Sequence, residues 1–418
     1  MASDAGATER QRVNAEVEFV VALRSGHWES MIAVRMPPSP TACWSITGLI
    51  LGAGRVAAGV VAVADGRIAA SAPLGARSVT LPDGWIVAPG FWDLQVNGFA
   101  GAEIGEDPDA IAHVAAALPT HGVTGFCPTL VSRGPAAYRR AAAAIAAVPW
   151  SGRAARNLGV HLEGPFLSPR RPGAHRARAL AIPTPDAVGR LVDRFAPRIV
   201  TLAPELNGGL AAVAALAGAG IVAAVGHTDA DAATCTAAIA AGARMLTHAL
   251  NAMPGMTARE PGPVGAFLDT PGVFLGVIAD GVHVAPSMLR VLASAAGPRL
   301  VAVSDAVAAA QAAPGTWELA GRRVTSDGTS VRDAAGRLAG SAQALDAAPG
   351  RLLAAGRSAA AALGAVSVAP RRLLGVGRPL ARGAPADLVI VDAGLRPRAT
   401  LIGGELVWQD AAPELDLS

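Results

Sequence analysis

The stretch GIVAAVGHTDADAATCTAAIAAGARMLTH, residues 220–248, contains the repeating unit that decides the fold. An apolar run, Gly220–Val225, is followed by a polar turn and by the alanine-rich segment Ala232–Ala241, whose spacing is helical. A second apolar run, Arg244–Thr247, comes next. This order of strand, helix and strand is typical of a parallel sheet covered by helices.

The same unit recurs through the middle of the chain, about residues 89–375, and predicts eight strands. In a (β/α)8 barrel the active site lies at the C-terminal ends of the strands, and most of these apolar runs are followed at once by a polar or ionisable residue. An open, doubly wound sheet would need a glycine-rich phosphate loop after its first strand, and Gln95-Val96-Asn97-Gly98 is not one. The sequence therefore predicts an α/β protein with a (β/α)8 TIM barrel. The predicted strands are Ile86–Leu94, Gly122–Thr129, Leu158–Leu162, Ile199–Ala203, Gly220–Val225, Arg244–Thr247, Val273–Ile278 and Leu300–Ser304.

The two ends of the chain have a different pattern. Short apolar runs separated by Gly or Asp-Gly turns predict strands in residues 46–88 and 376–418. We expect both ends to form one small β-sandwich domain beside the barrel at 89–375. Residues 1–45 are mixed and polar, and we predict a disordered N-terminal extension or sequence upstream of the true start.

The composition argues against several classes of protein. Of 418 residues, 52% are apolar and 16% are charged, so a large core is available and global disorder is not expected. The formal net charge is only +3 and no basic run is interleaved with aromatics, which argues against nucleic-acid binding. No apolar run reaches the ~20 residues that a membrane span needs, so no membrane association is expected.

The cysteines indicate a compartment. Cys43, Cys127 and Cys235 are odd in number, far apart, and form no C-x-x-C pair. We therefore expect small buried hydrophobes in a reducing cytoplasm, without a disulfide framework or a zinc ribbon.

Three candidate metal ligands end three different predicted strands. His227 closes Val222–Gly226, His248 closes Arg244–Thr247, and Glu163 follows the third strand. Two imidazoles and one carboxylate are a common ligand set for catalytic zinc, and they leave one position for water. A single histidine is more often a core residue, but three ligand types at three strand ends favour a metal site.

The positions of three further residues suggest functional roles, and each has an alternative structural interpretation. Asp305 follows the eighth strand, where it either relays a proton from the activated water to the leaving amine or caps a helix. Arg259 lies in a loop after the sixth strand and either clamps a phosphate or forms a surface ion pair with Glu260. His161 alternates with Glu163, so it either orients that ligand or has a structural role.

Seven strings surround these residues in a fixed order along the chain. They are Pro89-Gly90-Phe91-Trp92-Asp93-Leu94-Gln95-Val96-Asn97-Gly98, His161-Leu162-Glu163-Gly164-Pro165-Phe166, Gly226-His227-Thr228, Thr247-His248-Ala249-Leu250-Asn251-Ala252-Met253 with Arg259-Glu260-Pro261-Gly262, Asp280-Gly281-Val282-His283, Ser304-Asp305-Ala306 and Leu338-Ala339-Gly340-Ser341. Together they resemble the N-acetylglucosamine-6-phosphate deacetylases of the amidohydrolase superfamily. The resemblance covers about residues 46–410 and implies a barrel with a small β-sandwich.

The resemblance also implies a role for each matching residue. Glu163, His227 and His248 match metal ligands, and Asp305 matches the general base and acid. His175 matches a histidine that polarises the acetyl carbonyl. Arg259 matches a phosphate-binding arginine that reaches across a homodimer interface. The implied substrate contacts are Ala174, His175, Asn251, Ala252, Arg259, Asp280, His283, Leu338, Ala339 and Gly340.

The first strand sets a limit on the metal content. Many amidohydrolases carry His-x-His there and hold a second ion, whereas this chain has Gln95 and Asn97. Amides are poor ligands for zinc, so these are vestigial second-metal positions and one divalent ion per subunit is expected. Zinc is the first expectation, although iron(II) and manganese accept the same ligands.

The expected reaction is metal-dependent hydrolysis of N-acetyl-D-glucosamine 6-phosphate to glucosamine 6-phosphate and acetate, in amino-sugar catabolism. The alternative is a related amidohydrolase that acts on another N-acetyl hexosamine phosphate or on an N-acyl or cyclic amide. A catalytically dead barrel that only binds is a third possibility. Retention of Glu163, His227, His248 and Asp305 argues against it.

Overall fold

Eight parallel strands form a nearly closed barrel in a computed structural model, which describes residues 43–52, 54–150 and 152–411. Each strand pairs with the next strand of the barrel along the chain, and a parallel bridge between Val96 and Ala306 links the eighth strand region back to the first. The predicted fold class is confirmed. Numbered 1 to 8 in chain order, the barrel strands are Phe91–Val96, Val123–Val131, His161–Glu163, Ile199–Leu202, Val222–Val225, Met245–Leu246, Phe274–Ile278 and Leu300–Val303.

Helices follow the barrel strands and cover the barrel with their apolar faces. Several begin at strong local signals: Thr184, Asp231 and Ser358 each accept a backbone N–H in the first turn of a helix. The buried faces join one large cluster of Val, Leu, Ile and Ala side chains. The α-helices are Pro108–Ala117, Pro135–Ala147, Pro185–Phe195, Gly209–Gly218, Ala232–Ala240, Gly262–Asp269, Pro286–Ala296, Ala347–Ala354 and Ala359–Leu373, and the short 3-10 helices are Leu118–His121, Ala177–Ala179 and Gly297–Arg299.

The last helix closes the N-terminal end of the barrel. Its Leu373 packs with residues at the starts of the barrel strands, including Trp92 and Ile199. Arg371 stacks over Trp92, with its Cζ atom 4.2 Å from the ring centroid, and donates to the carbonyl oxygens of Gly90 at 2.8 Å and Ser367 at 2.7 Å. Burial lowers the pKa of this arginine to about 9. The ring and the two carbonyls that it contacts therefore replace part of its lost hydration.

A second domain is built from both chain ends, as the sequence predicts. Its core gathers aromatic and aliphatic residues from both ends, including Trp44, Val63, Leu388 and Leu401. The first strand begins at Trp44, and residues 1–42 of the predicted extension lie outside the described residues. One eight-stranded sheet contains Trp44–Leu51, Val56–Ala64, Arg67–Ala69, Arg77–Thr80, Ile86–Pro89, Leu388–Val391, Pro397–Ile402 and Glu405–Gln409.

The first predicted strand, Ile86–Leu94, is divided between the two domains. Ile86–Pro89 pairs antiparallel with Leu388–Val391 in the terminal sheet, whereas the chain after Gly90 enters the barrel. A Cβ atom at Gly90 would lie only 2.7 Å from Cβ of the buried Thr124. The apolar run is continuous because both halves are buried, so its pattern does not reveal the domain boundary.

A four-stranded antiparallel sheet follows barrel strand 8, and the sequence analysis did not predict it. Its turns carry the Asp327-Gly328 and Ala320-Gly321 signals, which are visible in the sequence. Ser341, at its end, forms a bridge with Ala306, so the sheet lies beside the C-terminal end of barrel strand 8. Its strands are Gly315–Leu319, Arg322–Ser326, Ser330–Asp333 and Leu338–Ser341. The remaining short strands are Gly98–Phe99, Ala102–Glu103 and Arg156–Asn157.

Two of the three cysteines are small buried side chains, as the sequence predicts. Cys127 and Cys235 are buried and form no disulfide bond, whereas Cys43 is half-buried. Burial raises the pKa of the Cys127 thiol, so it behaves as a small apolar side chain. Among the described helices, none has the length and apolarity that crossing a bilayer requires.

We predict that Gly90→Ala lowers the free energy of unfolding by about 1–3 kcal/mol, because the new methyl group meets Thr124 in a packed core. Urea titration measures the effect. Gly189→Ala is the matched control, since a Cβ atom in that helix has no atom within 4 Å. The control should gain up to about 1 kcal/mol, and equal stability of the two variants would contradict the steric argument.

Candidate active site

The ends of three barrel strands carry side chains into one buried cavity. Glu163 is the last residue of strand 3, while His227 and His248 lie two residues beyond strands 5 and 6. His227 has a φ of 48° and His248 a φ of 28°, and Asp305, two residues beyond strand 8, has a φ of 50°. Non-glycine residues rarely adopt this left-handed region, and such strain is concentrated at functional sites.

The three predicted metal ligands converge on one point. The Glu163 Oε1 atom lies 3.0 Å from His248 Nε2 and 3.2 Å from His227 Nε2. The two Nε2 atoms are 3.2 Å apart. Ligands bound tetrahedrally to zinc lie roughly 3.3 Å from one another, because each is about 2.0–2.1 Å from the ion. The spacing of these three atoms therefore suits a single divalent cation.

The hydrogen bond of His227 makes its ring suitable for a metal. Its Nδ1 atom lies 3.0 Å from the carbonyl oxygen of Arg171, which can only accept. Nδ1 therefore carries the proton, and Nε2 presents its lone pair toward Glu163 and His248. The corresponding Nδ1 atom of His248 is buried and has no partner among the described residues.

His175 lies in the same cavity with the opposite polarity. Its ligand atom and those of Glu163 and His227 all lie within 4.8 Å of one another, so distance alone would allow it as a metal ligand. However, its Nδ1 atom accepts the backbone N–H of Ser132 at 3.2 Å. The proton of a neutral ring is then on Nε2, which lies 3.6 Å from Glu163 Oε2. This tautomer donates a hydrogen bond and offers no lone pair to a cation, which favours His248 as the third ligand.

Asp305 faces the cluster and is held by two amides. Gln95 Nε2 donates to Glu163 Oε1 at 2.9 Å and to Asp305 Oδ1 at 3.0 Å, while Asn97 Nδ2 donates to the same Oδ1 at 2.7 Å. Of the two residues at the His-x-His positions, Gln95 thus bridges the two carboxylates and Asn97 holds Asp305.

The pKa values of the two carboxylates are shifted in opposite directions. Burial and the charge of Glu163 raise the pKa of Asp305 well above its usual range. Burial acts in the same sense on Glu163, but the imidazoles of His175, His227 and His248 around its carboxylate hold its pKa well below the usual range. Glu163 is therefore the permanent anion of the site, and Asp305 is the group disposed to take up a proton.

Comparison with known proteins identifies the family of the chain. Residues 86–409 match the amidohydrolase family. The chain is 38% identical to human N-acetylglucosamine-6-phosphate deacetylase over 79% of this chain and 85% of the relative. The chain belongs to the amidohydrolase family. It is also 36% identical to N-acetylgalactosamine-6-phosphate deacetylase from Escherichia coli O157:H7, over 82% of this chain and 93% of that relative.

Solved structures give the same result. A mutant of N-acetyl-D-glucosamine-6-phosphate deacetylase from Mycobacterium smegmatis, in complex with N-acetyl-D-glucosamine-6-phosphate, is similar with a TM-score of 0.80 and 34% identity. The similarity covers 88% of this chain and 99% of that chain. Within the amidohydrolase family, the chain thus belongs to the N-acetylglucosamine-6-phosphate deacetylase branch and is a metal-dependent hydrolase.

Asp280 and His283, two residues that the family resemblance matches to substrate contacts, bind each other. Asp280 Oδ2 lies 2.7 Å from His283 Nδ1 and accepts the Ser341 hydroxyl at 2.8 Å. Its Oδ1 accepts the backbone N–H groups of Val282 and His283, both at 2.9 Å. Burial raises the pKa of Asp280, but the hydrogen bonds from His283 outweigh it and lower the pKa to about 2. Asp280 therefore orients the ring of His283 through its Nδ1 atom.

The segment Leu338–Gly340, which the family resemblance matches to a loop, belongs to a strand here and lies directly against Asp305. Gly340 has a φ of 77°, and a Cβ atom there would lie 2.9 Å from the carbonyl oxygen of Asp305. Ala339 is buried, while Leu338 is half-buried. On the other side, Ala174 accepts a hydrogen bond from Arg322 through its carbonyl oxygen at 3.0 Å. Gly340 is therefore packed against the backbone of Asp305, and Ala174 is tied to the four-stranded sheet through Arg322.

The residues that match phosphate contacts follow His248 along the chain. Asn251 is half-buried and donates through Nδ2 to the carbonyl oxygens of His248 at 3.3 Å and Ala249 at 3.2 Å. Ala252 has a left-handed φ of 50°. Arg259 is exposed and forms no hydrogen bond or ion pair within the described residues, so the surface pair with Glu260 is not formed.

Not every polar residue at a strand end belongs to the site. Both ring nitrogens of His161 are engaged at 2.8 Å, one with the carbonyl oxygen of Leu94 and the other with the Thr201 hydroxyl. His161 is therefore a structural residue of the barrel. Glu205 likewise serves the turn after strand 5, because it accepts hydrogen bonds from Thr228 and from the N–H of Asp229.

Ser132 is a residue of the site that the sequence analysis missed. Besides its N–H, its hydroxyl lies 2.9 Å from His175 Nδ1 and 3.3 Å from the carbonyl oxygen of Glu163. The predicted strand 2 stops at Thr129, whereas the actual strand continues to Val131. Extending that strand by two residues would have placed Ser132 at its C-terminal end, beside the other polar residues.

We predict that Ser132→Ala lowers kcat for amide hydrolysis about five- to tenfold, because His175 loses one of two bonds that orient it. The metal content should stay at the wild-type level. Steady-state kinetics and elemental analysis measure both. Ser287→Ala, at an exposed helix start, is the control with wild-type kinetics. Loss of metal in Ser132→Ala would instead indicate that His175 is a ligand.

Proposed function

We propose that this protein hydrolyses the acetamide of N-acetyl-D-glucosamine 6-phosphate to glucosamine 6-phosphate and acetate. The observation that carries the proposal is the convergence of Glu163, His227 and His248 within about 3.2 Å of one another, opposite Asp305. The deacetylase relatives support the choice of substrate.

The donor set fits one divalent cation, and zinc is the first choice. Glu163, His227 and His248 would hold it, with His227 oriented by the carbonyl oxygen of Arg171. When bound, such an ion lowers the pKa of a coordinated water toward neutrality and polarises an amide carbonyl. The orphaned Nδ1 of His248 and the two carboxylates in one buried cavity agree with a site that needs a positive charge.

Asp305 and His175 divide the proton chemistry. Asp305 takes a proton from the attacking water and returns it to the departing amine. Its Oδ1 atom is occupied by the amides of Gln95 and Asn97, so Oδ2 performs the transfer. His175 donates its Nε2–H to the acyl oxygen and stabilises the negative charge that develops there.

The phosphate contacts are assigned to Asn251, Ala252 and Arg259. The exposed guanidinium of Arg259 has no partner within the described part of its own chain, which suits a role across a homodimer interface. A bidentate arginine holds a phosphate firmly and positions the sugar for attack. The sugar contacts are assigned to His283 and to the strand segment Leu338–Gly340.

A second candidate substrate is N-acetylgalactosamine 6-phosphate. The relative from Escherichia coli that carries this name is covered over 93% of its length at 36% identity. The two sugars differ only in the orientation of one hydroxyl group, which is not part of the acetamide that is hydrolysed. Comparison of kcat/KM for the two phosphates decides between them.

We predict that acetate release from N-acetylglucosamine 6-phosphate falls about 10²–10⁴-fold in Asp305→Asn, because the proton acceptor is lost while the side-chain shape is kept. The bound metal should remain near the wild-type level. Removal of the metal with a chelator should abolish wild-type activity, and added zinc, iron(II) or manganese should restore it.

Asp231→Asn is the matched control for the aspartate change. Asp231 caps a helix through a hydrogen bond from Thr234, and asparagine caps a helix equally well. The control should keep wild-type turnover. Full activity in Asp305→Asn, or insensitivity of the wild type to metal removal, would overturn the proposed mechanism.

We predict that Arg259→Ala raises KM for the phosphorylated sugar at least tenfold and leaves turnover of unphosphorylated N-acetylglucosamine unchanged, since only the phosphate contact is lost. Arg139→Ala, at another exposed arginine, is the control. An equal effect on both sugars would indicate an amidohydrolase that acts on another amide.

The same variant tests the dimer. Arg259→Ala and Asp305→Asn proteins are mixed and refolded together, and activity is measured at a substrate concentration below the wild-type KM, where both variants are weakly active. If Arg259 acts across the interface, hybrid dimers contain one complete site, and about one quarter of the wild-type activity returns. No recovery would mean that Arg259 acts within its own subunit.

A further inference from the structure

An arginine-rich cavity of about 490 Å³ lies beside His175. Arg176 and Arg178 line it from the loop after His175, and Arg322 and Arg337 line it from the four-stranded sheet. No acidic residue belongs to the described lining. The cavity therefore borders the residue assigned to the acyl oxygen, and it carries a positive charge.

Two of the four guanidinium groups are fixed by one buried acid. Asp333 Oδ2 accepts Arg322 at 2.7 Å and Arg337 at 2.9 Å. Arg176 donates to the carbonyl oxygen of Gly321. Arg178 is exposed and makes no hydrogen bond or ion pair with any described residue. One acid thus balances at most one of four positive charges, and the arginine without a partner is free for a ligand.

A neighbouring cavity helps to decide where an anion would bind. It has a volume of about 750 Å³, shares Arg176 and Arg178, and includes Ser132 in its lining. Three acids, Glu103, Glu106 and Asp107, also line it, so its charge is mixed. An anion is therefore attracted to the smaller cavity, where only arginines are charged.

We propose that the smaller cavity is a carboxylate-binding subsite on the acyl side of the active site, with Arg178 as its free ligand group. This inference rests on the proposed deacetylation, in which water adds to the acyl carbon, the C–N bond breaks, and a carboxylate forms beside His175. Arginine binds carboxylates bidentately, and the fixed arginines hold the charge of the cavity in place.

The carboxylate that binds in this subsite can come from two sources. One is the product acetate on its way out. The other is the distal carboxylate of a longer acyl group, such as N-succinyl, because the cavity is much larger than acetate.

The test compares the wild type with Arg178→Ala and with Arg290→Ala, an exposed arginine far along the chain that lines neither cavity. The first measurement is inhibition of deacetylation by sodium acetate at constant ionic strength. The second is hydrolysis of N-succinylglucosamine 6-phosphate. Inorganic phosphate serves as a third probe, for an anion of different shape.

We expect Arg178→Ala to raise the inhibition constant of acetate at least fivefold if the product is the source, or to lower kcat/KM for the succinyl substrate at least tenfold if the acyl group is. KM for N-acetylglucosamine 6-phosphate should change less than twofold, and Arg290→Ala should behave as the wild type. An effect on phosphate inhibition and KM instead would assign the cavity to the phosphate and overturn the proposal.

The remaining outcomes distinguish failure of the proposed subsite from failure of the proposed function. Unchanged acetate and succinyl behaviour in an active Arg178→Ala enzyme overturns the subsite and leaves the proposed function intact. Absence of acetate release by the wild type overturns the proposed function itself.

Discussion

Two carboxylates, Glu163 and Asp305, are buried in one cavity and joined by the amide nitrogen of Gln95, which donates to both. Like charges in a desolvated site repel each other, and this repulsion with burial raises the pKa of Asp305. Three imidazoles around Glu163 keep that group ionised. The arrangement is stable with a divalent cation, because the added positive charge favours both anions. The other features of the site depend on where this positive charge would lie.

The barrel supplies the rigidity that such a site requires. His227, His248 and Asp305 are held in left-handed backbone conformations, each of which costs about 1–3 kcal/mol. Fully buried strand residues immediately before them, such as Val225 and Leu246, anchor these positions in the core. The N-terminal end of the barrel interior is closed by the helix that carries Arg371. Chemistry and stability therefore occupy opposite ends of the same barrel.

Much of this could be predicted from the sequence because its periodicity is local. Each buried parallel strand is a short apolar run, and the polar residue after it marks the mouth, so Glu163, His227, His248 and Asp305 were found together. The division of Ile86–Leu94 at Gly90 was not visible, since both halves are equally apolar. The four-stranded sheet at Gly315–Ser341 was missed because weak alternation and turn signals carry less information than a long helix or strand.

The sequence by itself determined the order of strands and helices and the chemical types that end each strand, because these depend on neighbours along the chain. Only the tertiary structure decided what the side chains at those strand ends do. In the structure His161 is a structural residue and Ser132 is a partner of His175. The positions of these two residues in the sequence do not predict either role. The tertiary structure also distinguished a nitrogen with an available lone pair on His227, which suits a metal, from a donor nitrogen on His175. The physical reason is that the tautomer of an imidazole is set by what contacts its other nitrogen, and those contacts come from distant parts of the chain.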